Sequence, residues 1–126
     1  MTHHIVVGPG FVEVVHTGEV RYADRLAALQ SVQATDGLQA RLPVLINFLD
    51  ASVLTGTPGV DADEEARVDY MARAITDGFF TNRRIAMVGI SARDARPALI
   101  AATVRQIAFE VFEAREPAIA WLVAKT

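Results

Sequence analysis

Cysteine is absent from the 126 residues of this chain. That absence excludes disulfides, Cys-ligated zinc, iron–sulfur clusters and thiol nucleophiles together. Lysine is nearly absent too: of the twelve basic side chains, all but Lys125 are arginine. No stretch approaches the roughly 18 uninterrupted apolar residues of a membrane span. The first ten residues, Met1 to Gly10, lack both a basic segment and a long apolar one, so no secretory signal is expected and the cytoplasm is the default location. There is no repeat, no low-complexity tract and no linker. A net charge of −3 argues against a general nucleic-acid binder.

What is present points to one globular domain over residues 1–126. The chain is 52% hydrophobic and 21% charged, well outside the disordered range, and long enough to bury a sizeable core. Its charge is uneven, −6 over residues 1–82 and +3 over residues 83–126. Arginine forks onto carboxylates and phosphates, which suits an interaction surface; a genome that favours Arg codons gives the same count.

Residues 4–7 read as a short strand, and Gly8-Pro9-Gly10 as a turn. Residues 11–20 read as a second strand, antiparallel to the first, with Val12, Val14, His16 and Val20 on one face. Residues 22–34 read as a helix with Leu26, Leu29 and Val32 inward and Asp24 in the first turn, where the helix dipole favours an anion. Residues 42–49 form the third expected strand, apolar on both faces except for Asn47. Residues 61–79 carry the clearest helical stripe, Val68, Met71, Ala72, Ile75 and Phe79. Residues 85–90 read as the fourth strand. Ser91 caps a helix running to about residue 105, with Pro97 in its first turns. Residues 107–112 read as the fifth strand, and Glu116-Pro117 opens the last helix, with Ile119 and Leu122 inward and Trp121 partly at the surface. The order ββαβαβαβα implies an α/β domain with a mixed, mainly parallel five-stranded sheet packed by helices and joined by right-handed crossovers.

Two segments carry a resemblance. Val111-Phe112-Glu113-Ala114-Arg115-Glu116-Pro117-Ala118-Ile119-Ala120-Trp121-Leu122 resembles the closing strand and helix of SpoIIAA-like (STAS-type) proteins, and Arg84-Ile85-Ala86-Met87-Val88-Gly89 is similar to their preceding strand. With the element order, the similarity spans nearly the whole chain. Phosphorylatable STAS proteins follow their third strand with an Asp-Ser-Ser-Gly turn. On this chain Thr55 falls at the Asp, Gly56 and Thr57 at the two Ser, and Pro58 at the Gly. The resemblance implies a hydroxyl at the phosphorylated position, Thr57, but the neighbouring Asp is lost and the loop over residues 53–60 is longer. The chain thus resembles the uncharacterised SpoIIAA-like branch.

In a parallel α/β sheet the carboxyl ends of the strands are the usual working surface. The third strand ends there in Asp50-Ala51-Ser52, with Thr55 and Thr57 in the loop beyond. Asp50, Ser52, Thr55 and Thr57 are therefore the candidate interaction or regulatory residues. Asp50 also has a structural reading, as an acceptor capping the loop. His16, Asn47, Tyr70 and Phe79 are candidates for lining a ligand pocket. As a base, His16 would need Glu19 or Asp50 beside it. His3 and His4 alternate across a strand without a third ligand, and Asp61, Asp63, Glu64 and Glu65 lack the Gly and terminal Glu of a calcium loop, so no metal site is expected. No catalytic constellation and no cofactor motif is recognised. The expected function is a non-enzymatic STAS-like module that binds a protein partner through the loop after the third strand and the helix that follows. The alternative is a carrier of a small apolar ligand. A homodimer through a sheet edge or the last helix is also expected.

Overall fold

The structure is a computed structural model that describes residues 3–8, 10–35, 42–53 and 83–124. Five strands form one sheet in the order β1 (His3–Gly8), β2 (Phe11–Val20), β3 (Val44–Val53), β4 (Ile85–Val88) and β5 (Phe109–Phe112). β1 pairs antiparallel with β2, and every later pair is parallel. Three helices are described: α1 (Tyr22–Thr35), α2 (Ala92–Val104) and α3 (Arg115–Val123). The helix expected over residues 61–79 and the loop over residues 54–60 lie outside the described residues.

Each face of the sheet buries its own core. On the first face Val14, Val44, Ile46, Phe48, Ile85 and Met87 meet Ala28, Leu29 and Val32 of α1 and Ala95, Ala98, Ala101 and Ala102 of α2. The alanines of α2 let its backbone lie close to the strands. On the second face Leu45, Ala86 and Val88 meet Ala118 and Leu122 of α3, with Phe11, Phe112, Ile119 and Trp121 at the margin. A strand buried on both sides reads as a continuous apolar run, which is why Val44 to Phe48 shows no alternation.

The start of α1 and both ends of α2 are satisfied locally, and the end of α3 by a residue distant in sequence. Asp24 accepts the Arg21 amide at 2.8 Å at the start of α1. Ser91 caps α2, its hydroxyl oxygen accepting the Asp94 amide at 3.1 Å while the hydroxyl donates to the Asp94 carboxylate at 3.0 Å. At the exit of α2, Gln106 takes a left-handed φ of 58°; its amide donates to Thr103 and the Ile107 amide to Ala102, the paired bonds of a Schellman ending. α3 ends on Arg84, whose guanidinium donates to the carbonyls of Trp121 and Ala124 at 2.6 and 2.8 Å and lies over the Trp121 ring. A cation at a helix C-terminus complements the dipole there.

Several boundaries differ from expectation; β4, for one, ends at Val88 and not at residue 90. β5 begins at Phe109 and not at residue 107, because Ile107 is held by the Schellman ending and buried against the first core. α3 begins at Arg115, one residue early, which leaves Pro117 within its first turn. β3 runs from Val44 to Val53 instead of ending at residue 49, and this difference shapes the site.

Candidate functional site

Between Val15 and Thr17 the β2–β3 register shifts. Val15 pairs with Asn47 but Thr17 pairs with Asp50, so β3 spends three residues where β2 spends two. The extra residue makes a β-bulge in β3 at Phe48-Leu49, and bulges are rare between parallel strands. Before it, Val44, Ile46 and Phe48 face the first core; after it, Ala51 and Val53 do. Asp50 and Ser52 are thereby turned onto the second face, opposite Thr17 and Glu19. An unbulged strand would have sent them to the first face.

The bulge is held from two sides. Asn47 accepts the Leu49 amide on its side-chain oxygen at 2.8 Å, satisfying a donor at the bulge. Its amide nitrogen donates to Glu13 Oε2 at 2.9 Å. Arg115, at the first position of α3, forks onto the same carboxylate, Nε to Oε2 at 3.0 Å and Nη2 to Oε1 at 2.6 Å. Fork geometry is the strong form of this pair. The Glu13 carboxyl is held below its ordinary value of 4.5, chiefly by the hydrogen bonds from Arg115, against the opposing push of burial, with Asn47 adding in the same direction as Arg115. Arg115 is shifted upward by the same bonds. On the other flank Gly89 has φ +82°, and a Cβ there would lie 2.6 Å from the Leu49 nitrogen. Only glycine lets the chain leave β4 so close to the bulge.

β4 ends at Val88, opposite Asn47, so β2 and β3 run past it as a two-stranded projection. Its second face carries Thr17, Glu19, Asp50 and Ser52, all exposed. Two carboxylates and two hydroxyls on one open surface can accept hydrogen bonds and attract a cation. Among the described residues no group of three or more His, Asp or Glu is placed to hold a metal ion.

His16 stands on the opposite side. It is 1% exposed, stacked on Phe48 with ring centroids 4.6 Å apart and planes 5° from parallel, and tilted against His3 at 6.0 Å. Arg25, also buried, lies over the other aromatic neighbour, its guanidinium carbon 5.6 Å from the Phe48 centroid, and reaches the Asp94 carbonyl at 3.4 Å. His16, Arg25, Val14, Leu29, Met87 and Phe109 help to line a cavity of about 30 Å³ between the sheet, α1 and α2.

The structure thus separates residues that the sequence had grouped. Asp50 and Ser52 share one surface. His16 lines the cavity, but Asn47 does not: its side chain lies on the second face, bonded to Glu13. His16 lies on the first face, and Glu19 and Asp50 on the second. Asp50 sits inside β3, exposed, and is not the residue that ends the strand. Thr55, Thr57, Tyr70 and Phe79 lie outside the described residues. Sequence reasoning missed Glu13, Arg115 and Gly89. Glu13 and Arg115 are 102 positions apart, and no local pattern links them; Gly89 offered one signal, a glycine directly after an apolar strand.

Among the described residues the sheet holds one antiparallel and three parallel pairs, with two helices on one face and one on the other. An uncharacterized protein of the DUF3478 family from Shewanella loihica, described as having a SpoIIAA-like fold, matches with a TM-score of 0.55 at 16% identity, over 95% of this chain and 91% of that one. The chain has a SpoIIAA-like fold. At this identity the likeness speaks for the fold alone. No family model matches the sequence, and no curated protein matches it. Within the SpoIIAA-like fold, no helix among the described residues is long and apolar enough to cross a membrane.

Proposed function

We propose that the chain is a non-enzymatic STAS-like binding module that engages a protein partner at the carboxyl rim of β2 and β3 and through the segment after β3. The observation that carries this reading is the bulge at Phe48-Leu49, which collects Thr17, Glu19, Asp50 and Ser52 on one exposed surface. Bulges re-aim side chains at functional edges. Here the re-aiming is fixed by Asn47, Glu13, Arg115 and Gly89, a large investment for a strand end with no work to do. The surface offers acceptors and negative charge, so the matching partner presents Arg, Lys or backbone N–H groups. The regulatory character of the module is inferred by fold analogy. Thr55 and Thr57 follow Ser52 within a few residues in sequence; phosphorylation at Thr57 would add roughly two negative charges to that segment.

The test is affinity capture with the wild type, the double variant Glu19→Lys/Asp50→Lys, and Thr57→Asp. Loss of the wild type's partners from the double variant is the expected result. The same partners recovered in the same amounts from both proteins would end the rim reading, and no difference for Thr57→Asp would end the switch.

The second reading, a carrier of a small apolar ligand, rests on the cavity beside His16 and Arg25. Its volume of about 30 Å³ takes one or two water molecules. Ligand pockets run to about 300–1,000 Å³. This difference of an order of magnitude favours the binding module. Native mass spectrometry of the purified chain separates the readings: a bare mass is expected, and a bound small molecule would favour the carrier.

A further inference from the structure

One edge of the sheet is β1, six residues long and paired on one side only among the described residues. Its sequence, His3-His4-Ile5-Val6-Val7-Gly8, contains no Asp, Glu, Lys, Arg or Pro, and its pairing with β2 runs unbroken from His3 to Gly8 without a bulge. Those are the devices by which edge strands are normally protected from pairing with other chains. Val6 and Val7 point to opposite faces, and each is 47% exposed. The other edge, β5, is four residues long and carries the exposed Glu110. The two edges are therefore unequal, and only β1 presents a long, uncharged, β-branched row.

We propose that β1 pairs with β1 of a second copy, joining two five-stranded sheets into one continuous sheet through an antiparallel β1–β1 seam. An unpaired strand edge offers alternating N–H and C=O groups, and another strand satisfies both. The strand suits itself as a partner. Residues opposite each other across a two-fold antiparallel pair share a face, so the axis passes through Ile5 or Val6. With Val6 on the axis, Val6 meets Val6, Ile5 meets Val7, and His4 meets Gly8. With Ile5 on the axis, His4 meets Val6 and His3 meets Val7. Neither register opposes like charges, although each chain carries −3 overall. The copies thus meet along a strand without Asp, Glu, Lys or Arg. A strand of six residues is only about 20 Å long. A seam of that length lies at the small end of specific interfaces, so the dimer dissociates on dilution.

Sedimentation of the wild type from low-micromolar to several hundred micromolar is expected to move from the 13.6 kDa chain mass toward twice that value. Val6→Lys and Val7→Lys place a charge on each face of the seam, and both variants are expected to remain monomeric throughout with an unchanged circular dichroism spectrum. Hydrogen exchange on the wild type supplies a reading that needs no variant: β1 amides are expected to slow as concentration rises while those of β4 do not change. A wild type that stays monomeric, a dimer undiminished in natively folded lysine variants, or β1 exchange independent of concentration would overturn the proposal.

Discussion

Glu13 shows how one buried side chain can organise a site. It is 6% exposed, and a carboxylate so buried needs partners. Arg115 supplies a two-pronged one and Asn47 a third bond. Replacing it with Gln keeps the shape and removes the charge. We expect Glu13→Gln to lower stability by about 1–2 kcal/mol in urea titrations, the half-exposed Arg115 keeping the loss moderate. The pH dependence follows from the direction of the shift. The folded-state value lies below the ordinary 4.5, so the folded protein holds the carboxylate ionised where the unfolded chain would take up a proton. Its stabilisation is complete above about pH 4.5 and is lost as pH falls from there through the lowered value. The wild type should therefore lose stability more steeply than Glu13→Gln on acidification below that point. Parallel pH–stability curves for the two proteins would show that Glu13 is not the group responsible.

At the scale of the element, the bulge depends on backbone fit. Gly89 passes so close to Leu49 that any side chain must displace main chain, and its φ of +82° adds a steric cost of its own. Gly89→Ala is expected to cost about 2–4 kcal/mol, from roughly 1–2 for the left-handed backbone and the remainder from the clash. A loss under half a kcal/mol by thermal or urea unfolding would mean that the β4 exit is not pinned there. The helices behave differently. α2 carries its cap, Ser91 with Asp94, and its ending, Gln106 with Ile107, within a few residues of itself, so its limits were nearly legible in the sequence. β3 was misjudged because Asp50 looks like the end of an apolar run. A one-residue bulge keeps the strand going while reversing which side chains are polar-facing, and hydropathy alone reads that as termination.

For the whole molecule, α3 closes the second face. Leu45, Ala86 and Val88 are each fully buried beneath Ala118 and Leu122. Arg84 holds the far end of α3 and Arg115 the near end, so the helix is tied at both termini to residues distant in sequence. A chain cut after Glu113 should expose that apolar face and strand the Glu13 charge. We expect it to lose cooperative unfolding and to bind an apolar dye such as ANS. A truncated chain with a sharp transition and no dye binding would show that the first core suffices.

The type and order of the described elements were readable from sequence because each follows from local facts: apolar runs for buried strands, a cap before a helix, and strands separated by segments long enough to cross back for a parallel sheet. The candidate rim was half readable. Asp50 and Ser52 were placed at the right end of the right strand, but the face they occupy depends on a bulge, and the bulge on Asn47, Glu13, Arg115 and Gly89. Tertiary structure alone decided those, and it alone put Asn47 and His16 on opposite sides of the sheet. The reason is physical. Periodicity along a chain records burial one residue at a time, whereas register and face are fixed by hydrogen bonds and steric contacts between segments that meet only after folding.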